Sequence, residues 1–215
     1  MFRRIAPILP TSRANGDTKY LFPADVFSRL LSPYRGRPVH YLEVGCYEGR
    51  SALWMMDNIL THRAARAVCL DQFDGPYYST FLRNLKHSGH QKKVRVIKAP
   101  SSRGLRKLPM ESFDVIYLDA SHAAYDILTD ACLSWLLLKN GGLLIFDDYK
   151  LCRCGSPDIR TDAPIDAFLA AFGRQLNLLH RGEQVIVKKI PLNDRAKKLL
   201  PRVGNLSFPR QTTPS

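Results

Sequence analysis

The sequence lacks the features that mark membrane proteins, secreted proteins and proteins stabilised by structural zinc. None of its apolar runs approaches the ~20 residues that a membrane-spanning helix needs, and residues 1–16 carry basic residues with too short an apolar segment for a secretory signal. The five cysteines are an odd number, and Cys152-x-Cys154 has no second pair nearby, which argues against a structural zinc site. We therefore expect a cytoplasmic protein with reduced thiols and no membrane contact.

Acidic residues are also scarce, and the scarcity is local. The 32 Lys and Arg outnumber the 19 Asp and Glu, giving a formal net charge of +13. Residues 83–107 hold nine basic residues and no acid, and residues 195–215 hold five basic residues and no acid. A solvated basic face with a loose tail explains this pattern, and an anionic partner such as nucleic acid explains it as well. Nucleic acid is the weaker alternative, because no aromatic-rich RNA-binding signature accompanies the charges.

The stretch 113–149 concentrates the reactive side chains. Residues 115–118 form a short apolar run that ends at Asp119, and residues 143–146 form another that ends at Asp147 and Asp148. Both runs are typical of buried strands. Because the carboxyl ends of neighbouring parallel strands lie side by side, we expect these carboxylates to share one crevice, where ligands bind.

A helix is predicted between these two strands. Residues 123–138 carry apolar side chains at helical spacing, and Gly141-Gly142 is expected to stop the helix. His122 stands at the start of this helix, three residues after Asp119. The predicted strand, helix and strand would therefore bring an imidazole into the crevice with the carboxylates.

A second signal stands at the first predicted strand, residues 39–44. Gly45 and Gly49 follow it and precede a predicted helix over 50–60, an arrangement typical of nucleotide-binding domains. The next predicted strand, 67–70, ends in Asp71, which is placed to accept hydrogen bonds from ribose hydroxyls. Since the glycine spacing departs from G-x-G-x-x-G, the pattern favours an adenosine ligand without a pyrophosphate.

The remaining elements complete the fold class. Further strands are predicted over 94–98, 176–180 and 185–190, with the last two joined as a hairpin. We predict an α/β protein with a Rossmann-like, doubly wound seven-stranded sheet that is mostly parallel and closes with a C-terminal antiparallel hairpin. The predicted organisation is a lead-in segment (1–38), one domain (39–190) and a basic, flexible tail (191–215).

Four motifs in this order resemble a known family. The runs YLEVGCYEGRS, LDQFDG, DVIYLDASH and NGGLLIFDDY, followed by the hairpin, resemble the class I S-adenosylmethionine-dependent methyltransferases over residues 39–190. The resemblance is to the metal-dependent small-molecule O-methyltransferases of the macrolide-sugar and catechol type. It implies S-adenosylmethionine and a divalent metal (Mg²⁺ or Mn²⁺) as cofactors, a small-molecule or sugar hydroxyl as acceptor, and a homo-oligomer.

The resemblance also implies roles for individual residues. It assigns the metal to Asp119, Asp147 and Asp148, and the catalytic base to His122. It assigns cofactor binding to seven residues, which are Glu43, Gly45, Gly49, Asp71, Ser101, Ser102 and Asp119. Two departures stand out, because Asp148 replaces the Asn of the catechol enzymes and D-A-S-H replaces the common D-G-x-H. Neither departure removes a metal ligand.

The chemistry of these residue types agrees with those roles. A hydroxyl is a poor nucleophile at neutral pH, and a divalent ion on carboxylate oxygens favours its ionised form. A histidine can take the proton. Two other functions stay open, namely a nucleic-acid methyltransferase that uses residues 83–107 and a fold relic that binds cofactor or partner without turnover. The structural alternatives are that Asp147 and Asp148 cap a loop and that His122 makes a structural hydrogen bond.

Overall fold

A computed structural model describes residues 24–150 and 160–191. Within these residues no helix has the length and apolar character needed to cross a membrane. Cys152, Cys154 and the basic tail of 195–215 lie outside the described residues, as does most of the predicted lead-in segment. The predicted domain boundaries stay predictions.

Within residues 24–150 and 160–191, seven strands form one sheet. The spatial order is β3-β2-β1-β4-β5-β7-β6. Strands β1 to β5 run parallel, and β7 runs antiparallel to both β5 and β6. The strands are His40–Val44 (β1), Arg66–Asp71 (β2), Val94–Lys98 (β3), Phe113–Leu118 (β4), Leu138–Phe146 (β5), Leu176–Arg181 (β6) and Val185–Lys189 (β7). The predicted fold class is therefore confirmed, including the antiparallel hairpin.

In the part of the chain that the structure describes, six α-helices connect and cover the strands. They are Ala24–Leu31 (α1), Arg50–Asn58 (α2), Tyr77–Ser88 (α3), Ser101–Leu105 (α4), Ala124–Leu137 (α5) and Asp162–Phe172 (α6). Both faces of the central strands are buried, which explains why those strands are continuous apolar runs rather than alternating patterns. In β4, Ile116 and Leu118 pack in the cluster that includes Trp135 of α5 and Phe168 of α6, whereas Val115 and Tyr117 pack with Phe27 of α1 and Met55 of α2.

The prediction that Gly141-Gly142 stops α5 is wrong. The helix ends at Leu137, and β5 begins at Leu138 and runs through both glycines. The glycines serve the strand, because a Cβ on Gly142 would lie 2.9 Å from the Asp114 carbonyl oxygen and Gly141 has a φ of +83°. The pairing of β4 with β5 is irregular between Phe113 and Val115, so the extra residues are accommodated at the start of the strand pair.

Candidate active site

The carboxyl ends of the central strands meet at one edge of the sheet, as the sequence predicts. The backbone continues the ladder past each strand end, because the N–H of Gly45 bonds the Leu70 carbonyl at 2.9 Å and the N–H of Asp119 bonds the Val44 carbonyl at 2.8 Å. The N–H of Asp147 likewise bonds the Leu118 carbonyl at 3.0 Å. The turns after β1, β4 and β5 are thereby fixed next to one another.

Gly45 is required by this contact between turns. Its φ is +87°, and a Cβ at this position would lie 1.9 Å from the carbonyl oxygen of Asp119. Gly49 has a φ of +92°, and its Cβ would lie 2.9 Å from the ring of Phe81. Both glycines are therefore demanded by the protein's own packing, in addition to the cofactor role predicted for them.

Asp71 binds the glycine turn itself. One carboxylate oxygen accepts the backbone N–H groups of Cys46 at 2.6 Å and Tyr47 at 2.8 Å, and the other accepts the N–H of Phe73 at 2.6 Å. Tyr47 (φ +48°) and Phe73 (φ +52°) both adopt left-handed backbone conformations that side chains disfavour. The carboxylate thus stabilises a strained turn, and its ribose contact stays a prediction.

Glu43 lies beneath the turn and is fully buried. It accepts hydrogen bonds from the Tyr41 hydroxyl at 2.6 Å and the Ser51 hydroxyl at 2.5 Å. Burial raises the pKa of Glu43 to about 7, although the hydrogen bonds from Ser51 and Tyr41 oppose the shift. The structure therefore places Glu43 in the support of the turn, where both of its oxygens already have donors.

Ser101 and Ser102 begin α4, directly after β3. Ser101 is half-buried and lies near Asp130 of α5, whereas Ser102 is exposed. Asp130 is 4% exposed. The predicted adenine contacts of the two serines stay predictions, and the link from Ser101 to Asp130 is a feature that the sequence pattern did not indicate.

On the other side of the crevice, Asp119, His122 and Asp148 come together. Each offers one possible ligand atom, and these atoms lie within 4.8 Å of one another. His122 Nε2 lies 2.9 Å from Asp148 Oδ2. Burial raises the pKa of Asp119 well above its usual range, with further contributions from the carboxylates of Asp147, Asp148 and Glu43. Asp148 has a φ of +55°, a strained conformation of the kind that clusters at functional sites.

Asp147 lies beside this group but bonds elsewhere. Its carboxylate accepts hydrogen bonds from the Tyr117 hydroxyl, from Gln184 Nε2 at 2.6 Å and from the backbone N–H of Asp148 at 2.9 Å. Tyr117 also contacts Asp119 Oδ2 at 3.3 Å. Sequence reasoning missed Tyr117 and Gln184, because the first belongs to an apolar strand and the second to the distant hairpin. The metal role of Asp147 stays a prediction.

A cavity that is open to solvent lies next to these carboxylates, and its unfilled space of about 380 Å³ includes part of that solvent. Apolar side chains of Leu118, Ile127, Phe146 and Ile165 form much of its wall. The polar residues that line it include Asp119, Ser121, His122, Asp130, Asp147, Asp148 and Thr161. Mostly apolar walls with a few convergent polar groups are typical of small-molecule sites.

The residues present fit a divalent metal. Two carboxylates and one imidazole are a donor set that Mn²⁺ and related ions accept, while carboxylate oxygens also suit Mg²⁺. The mutual repulsion that raises the pKa of Asp119 would be relieved by a bound cation. The group Asp119–His122–Asp148 differs from the predicted set, which names Asp147 as a ligand and His122 as a base.

Comparison with known proteins identifies the family. Residues 42–149, half of the chain, match the model of the methyltransferase domain. The chain therefore belongs to this family of methyltransferase domains. The match extends from the first strand to the residue after Asp148, so it includes the glycine turn, Asp71 and the carboxylate cluster.

Individual relatives are distant. Uncharacterized protein R132 of Acanthamoeba polyphaga mimivirus is 24% identical over 132 residues, which are 58% of this chain and 58% of that protein. The chain thus spans little more than half the length of this curated relative. The O-methyltransferase TomG from Streptomyces achromogenes, solved with S-adenosylmethionine, is 16% identical, with a TM-score of 0.62 over 80% of this chain and 82% of its own. The Bacillus cereus O-methyltransferase solved with S-adenosylhomocysteine is 17% identical, with a TM-score of 0.61 over 80% and 84%.

Proposed function

We propose that the chain transfers the methyl group of S-adenosylmethionine to a hydroxyl oxygen of a small molecule, with the assistance of a divalent metal. The observation that carries the proposal is the group Asp119–His122–Asp148, whose ligand atoms lie within 4.8 Å of one another beside an apolar-walled cavity. The O-methyltransferase activity of the proteins from S. achromogenes and B. cereus supports the choice of oxygen as the methylated atom.

The carboxylates Asp119 and Asp148, with Asp147 beside them, would hold the metal. When bound, a divalent ion supplies positive charge that favours the ionised form of the substrate hydroxyl. The protein's own contribution to the metal site is the strand-end geometry, since Asp119 and Asp148 lie at the ends of neighbouring strands. The hydroxyl of Thr161 has no chemical role here. It donates a hydrogen bond to the backbone carbonyl of Asp148 at 2.5 Å and so helps to fix the backbone of Asp148.

His122 acts as the base. Asp148 Oδ2 accepts a hydrogen bond from His122 Nε2–H, which leaves Nδ1 of the neutral imidazole unprotonated and able to accept the substrate proton. Bound S-adenosylmethionine would supply an electrophilic methyl group for the substrate oxygen, and S-adenosylhomocysteine would be released with the electron pair of the broken carbon–sulfur bond. The cavity must chiefly align the methyl group in line with the oxygen.

The test has two parts. Calorimetry should show that S-adenosylhomocysteine binds the wild-type protein, and that Mn²⁺ or Mg²⁺ binds wild type more tightly than Asp119→Asn. A panel of catechols, phenols and sugars is then incubated with S-adenosylmethionine, and release of S-adenosylhomocysteine is measured with and without chelator. Full activity in excess chelator would refute the metal mechanism, while cofactor binding without any hydroxyl turnover would favour the fold relic.

The basic edge of the sheet favours one alternative, a nucleic-acid methyltransferase. The nine basic residues of 83–107 lie on α3, β3, α4 and their connections, and none forms an ion pair with another described residue. Strand β3 is at the edge of the sheet, and its Lys98 stands beside Asp71 in register. A labelled RNA should then bind with an affinity that falls steeply with salt, whereas the small-molecule hypothesis expects no such binding.

A further inference from the structure

One buried carboxylate in the cavity has no part in the proposed chemistry. Asp130, on α5, lines the same cavity as Asp119 and His122 and is 4% exposed. Ser101 lies close to the carboxyl group, but the Oδ1 atom is buried without any hydrogen-bond partner among the described residues. Buried carboxylate oxygens are nearly always hydrogen-bonded, so this atom calls for a donor.

Asp130 also has no ion-pair partner among the described residues. The cavity walls nearby include Ile127, Phe146 and Ile165. Burial raises the pKa of Asp130 to about 6, against the opposing effect of Ser101. When the group is ionised it is a buried anion, and a buried anion is normally paired with a cation.

We propose that Asp130 recognises an amine on the methyl acceptor, accepting its N–H at Oδ1, while the acceptor's hydroxyl lies at the Asp119–His122 part of the same cavity. This inference rests on the proposed function, and it specifies the substrate class as a hydroxylated amine. The cavity is also lined by the ring of Phe146 and by Ile127 and Ile165, which suit an aromatic body. A protonated amine would meet both needs of Asp130, namely the missing donor and the missing ion-pair partner.

Two other unpartnered groups on α5 provide a contrast. Ser134 Oγ and Trp135 Nε1 are also buried without hydrogen-bond partners among the described residues, but neither residue lines the cavity. Ser134 is one helical turn beyond Asp130 and carries no charge. Ser134→Ala is therefore a matched control that removes a buried polar group from the same helix without changing the cavity.

The experiment compares two probes that differ by one amine. Dopamine is a catechol with a protonated amine, and 4-ethylcatechol is the same catechol without it. Calorimetry without cofactor or metal should show that dopamine binds wild type about 10-fold more tightly or better, since a hydrogen bond to a buried charged group typically has this effect. The ratio should fall to within about 2-fold in Asp130→Asn and Asp130→Leu, and persist in Ser134→Ala.

Three outcomes would overturn the inference. They are equal affinities in wild type, failure of both probes to bind at millimolar concentrations, and a preference that survives in both Asp130 variants. Thermal melting of each variant shows that it is folded. Asp130→Leu is included because the amide oxygen in Asp130→Asn can still accept a hydrogen bond from the amine, whereas leucine cannot. The outcome is independent of the cofactor titration, because loss of S-adenosylhomocysteine binding would refute the proposed function without altering the ratio of the two probes.

Discussion

The carboxylate of Asp71, at the end of β2, accepts three backbone hydrogen bonds, whereas that of Asp119, at the end of β4, faces two further carboxylates. The first belongs to the turn side of the site, with Glu43 and the glycine turn, where each acid has donors from the protein. The second belongs to the cluster side, Asp119–His122–Asp148, where like charges accumulate. The comparison teaches that the turn side is organised by the fold alone, while the cluster side leaves charge for a ligand to satisfy.

The largest expected effect lies on the cluster side. His122→Ala should lower turnover by about 10²–10⁴-fold, the usual contribution of a positioned general base. Metal affinity should stay nearly unchanged, because the carboxylates would remain in place. Steady-state kinetics on an accepted substrate and calorimetric metal titration check the two statements. A large loss of metal affinity would instead make His122 a ligand, which the 4.8 Å group also permits.

On the turn side, Glu43 should make stability depend on pH. Its pKa rises from 4.5 to about 7 on folding, so between these values the folded state binds more protons than the unfolded state, and stability falls as the pH rises. The shift corresponds to about 3 kcal/mol. Glu43→Gln should remove this decline in thermal or denaturant unfolding, and Glu183→Gln at an exposed site should retain it. An unchanged profile in Glu43→Gln would show that the carboxylate is not desolvated.

Removal of the Asp71 carboxylate should weaken S-adenosylmethionine binding by about 10- to 150-fold, because its hydrogen bonds are charge-assisted. The effect has two origins, since Asp71 also holds the backbone of Cys46 and Tyr47. Asp71→Asn separates them, because an amide oxygen can still accept from the turn while losing the charge. Calorimetry on Asp71→Ala and Asp71→Asn decides the matter, and an unchanged dissociation constant in both would exclude a cofactor role for this strand end.

The smallest expected effect is on stability and tests whether the cluster side carries unsatisfied negative charge. Asp119→Asn should raise the stability of the metal-free protein by about 1 kcal/mol, because it relieves repulsion among neighbouring, half-buried carboxylates. The same change should lower metal affinity, so that added Mn²⁺ or Mg²⁺ partly restores turnover. Thermal melting with chelator and with metal checks both directions. A destabilised metal-free variant would mean that the cluster side is satisfied by the protein after all.

Sequence patterns predicted most of the fold because its determinants are local. The apolar runs before Asp71, Asp119 and Asp147 could only be buried strands, and β3 was predicted at its observed bounds. The start of β5 could not be predicted, because Gly142 serves a strand contact with Asp114 that is remote in sequence, and Gly141 adopts a φ of +83° within the strand. A pair of glycines after a helical pattern looks the same whether it ends a helix or lies within a strand.

The sequence was sufficient to predict which residues lie close together in the site, but not which hydrogen bonds they make. Because neighbouring parallel strands end at the same edge of the sheet, Asp119, His122 and Asp148 lie close together regardless of the hydrogen bonds that each one makes. The structure places the three residues in one group. The orientation of Asp147 depends on Gln184, which arrives from the hairpin 37 residues later. The sequence did not indicate that Asp130 lines the cavity, because its position on α5 is equally compatible with the side of the helix that packs in the apolar core. The predicted roles of individual residues and the predicted homo-oligomer await experiment.

The contact between Gly45 and the Asp119 carbonyl affects how distant relatives can be interpreted. Since a Cβ would lie 1.9 Å from that oxygen, selection must keep glycine there for as long as the two turns touch, even in a descendant that has stopped binding any cofactor. A glycine at this position therefore records the architecture and says nothing about whether a relative still has activity. An inactive descendant would instead be recognised by substitutions at Asp119, His122 and Asp148, which the fold does not need.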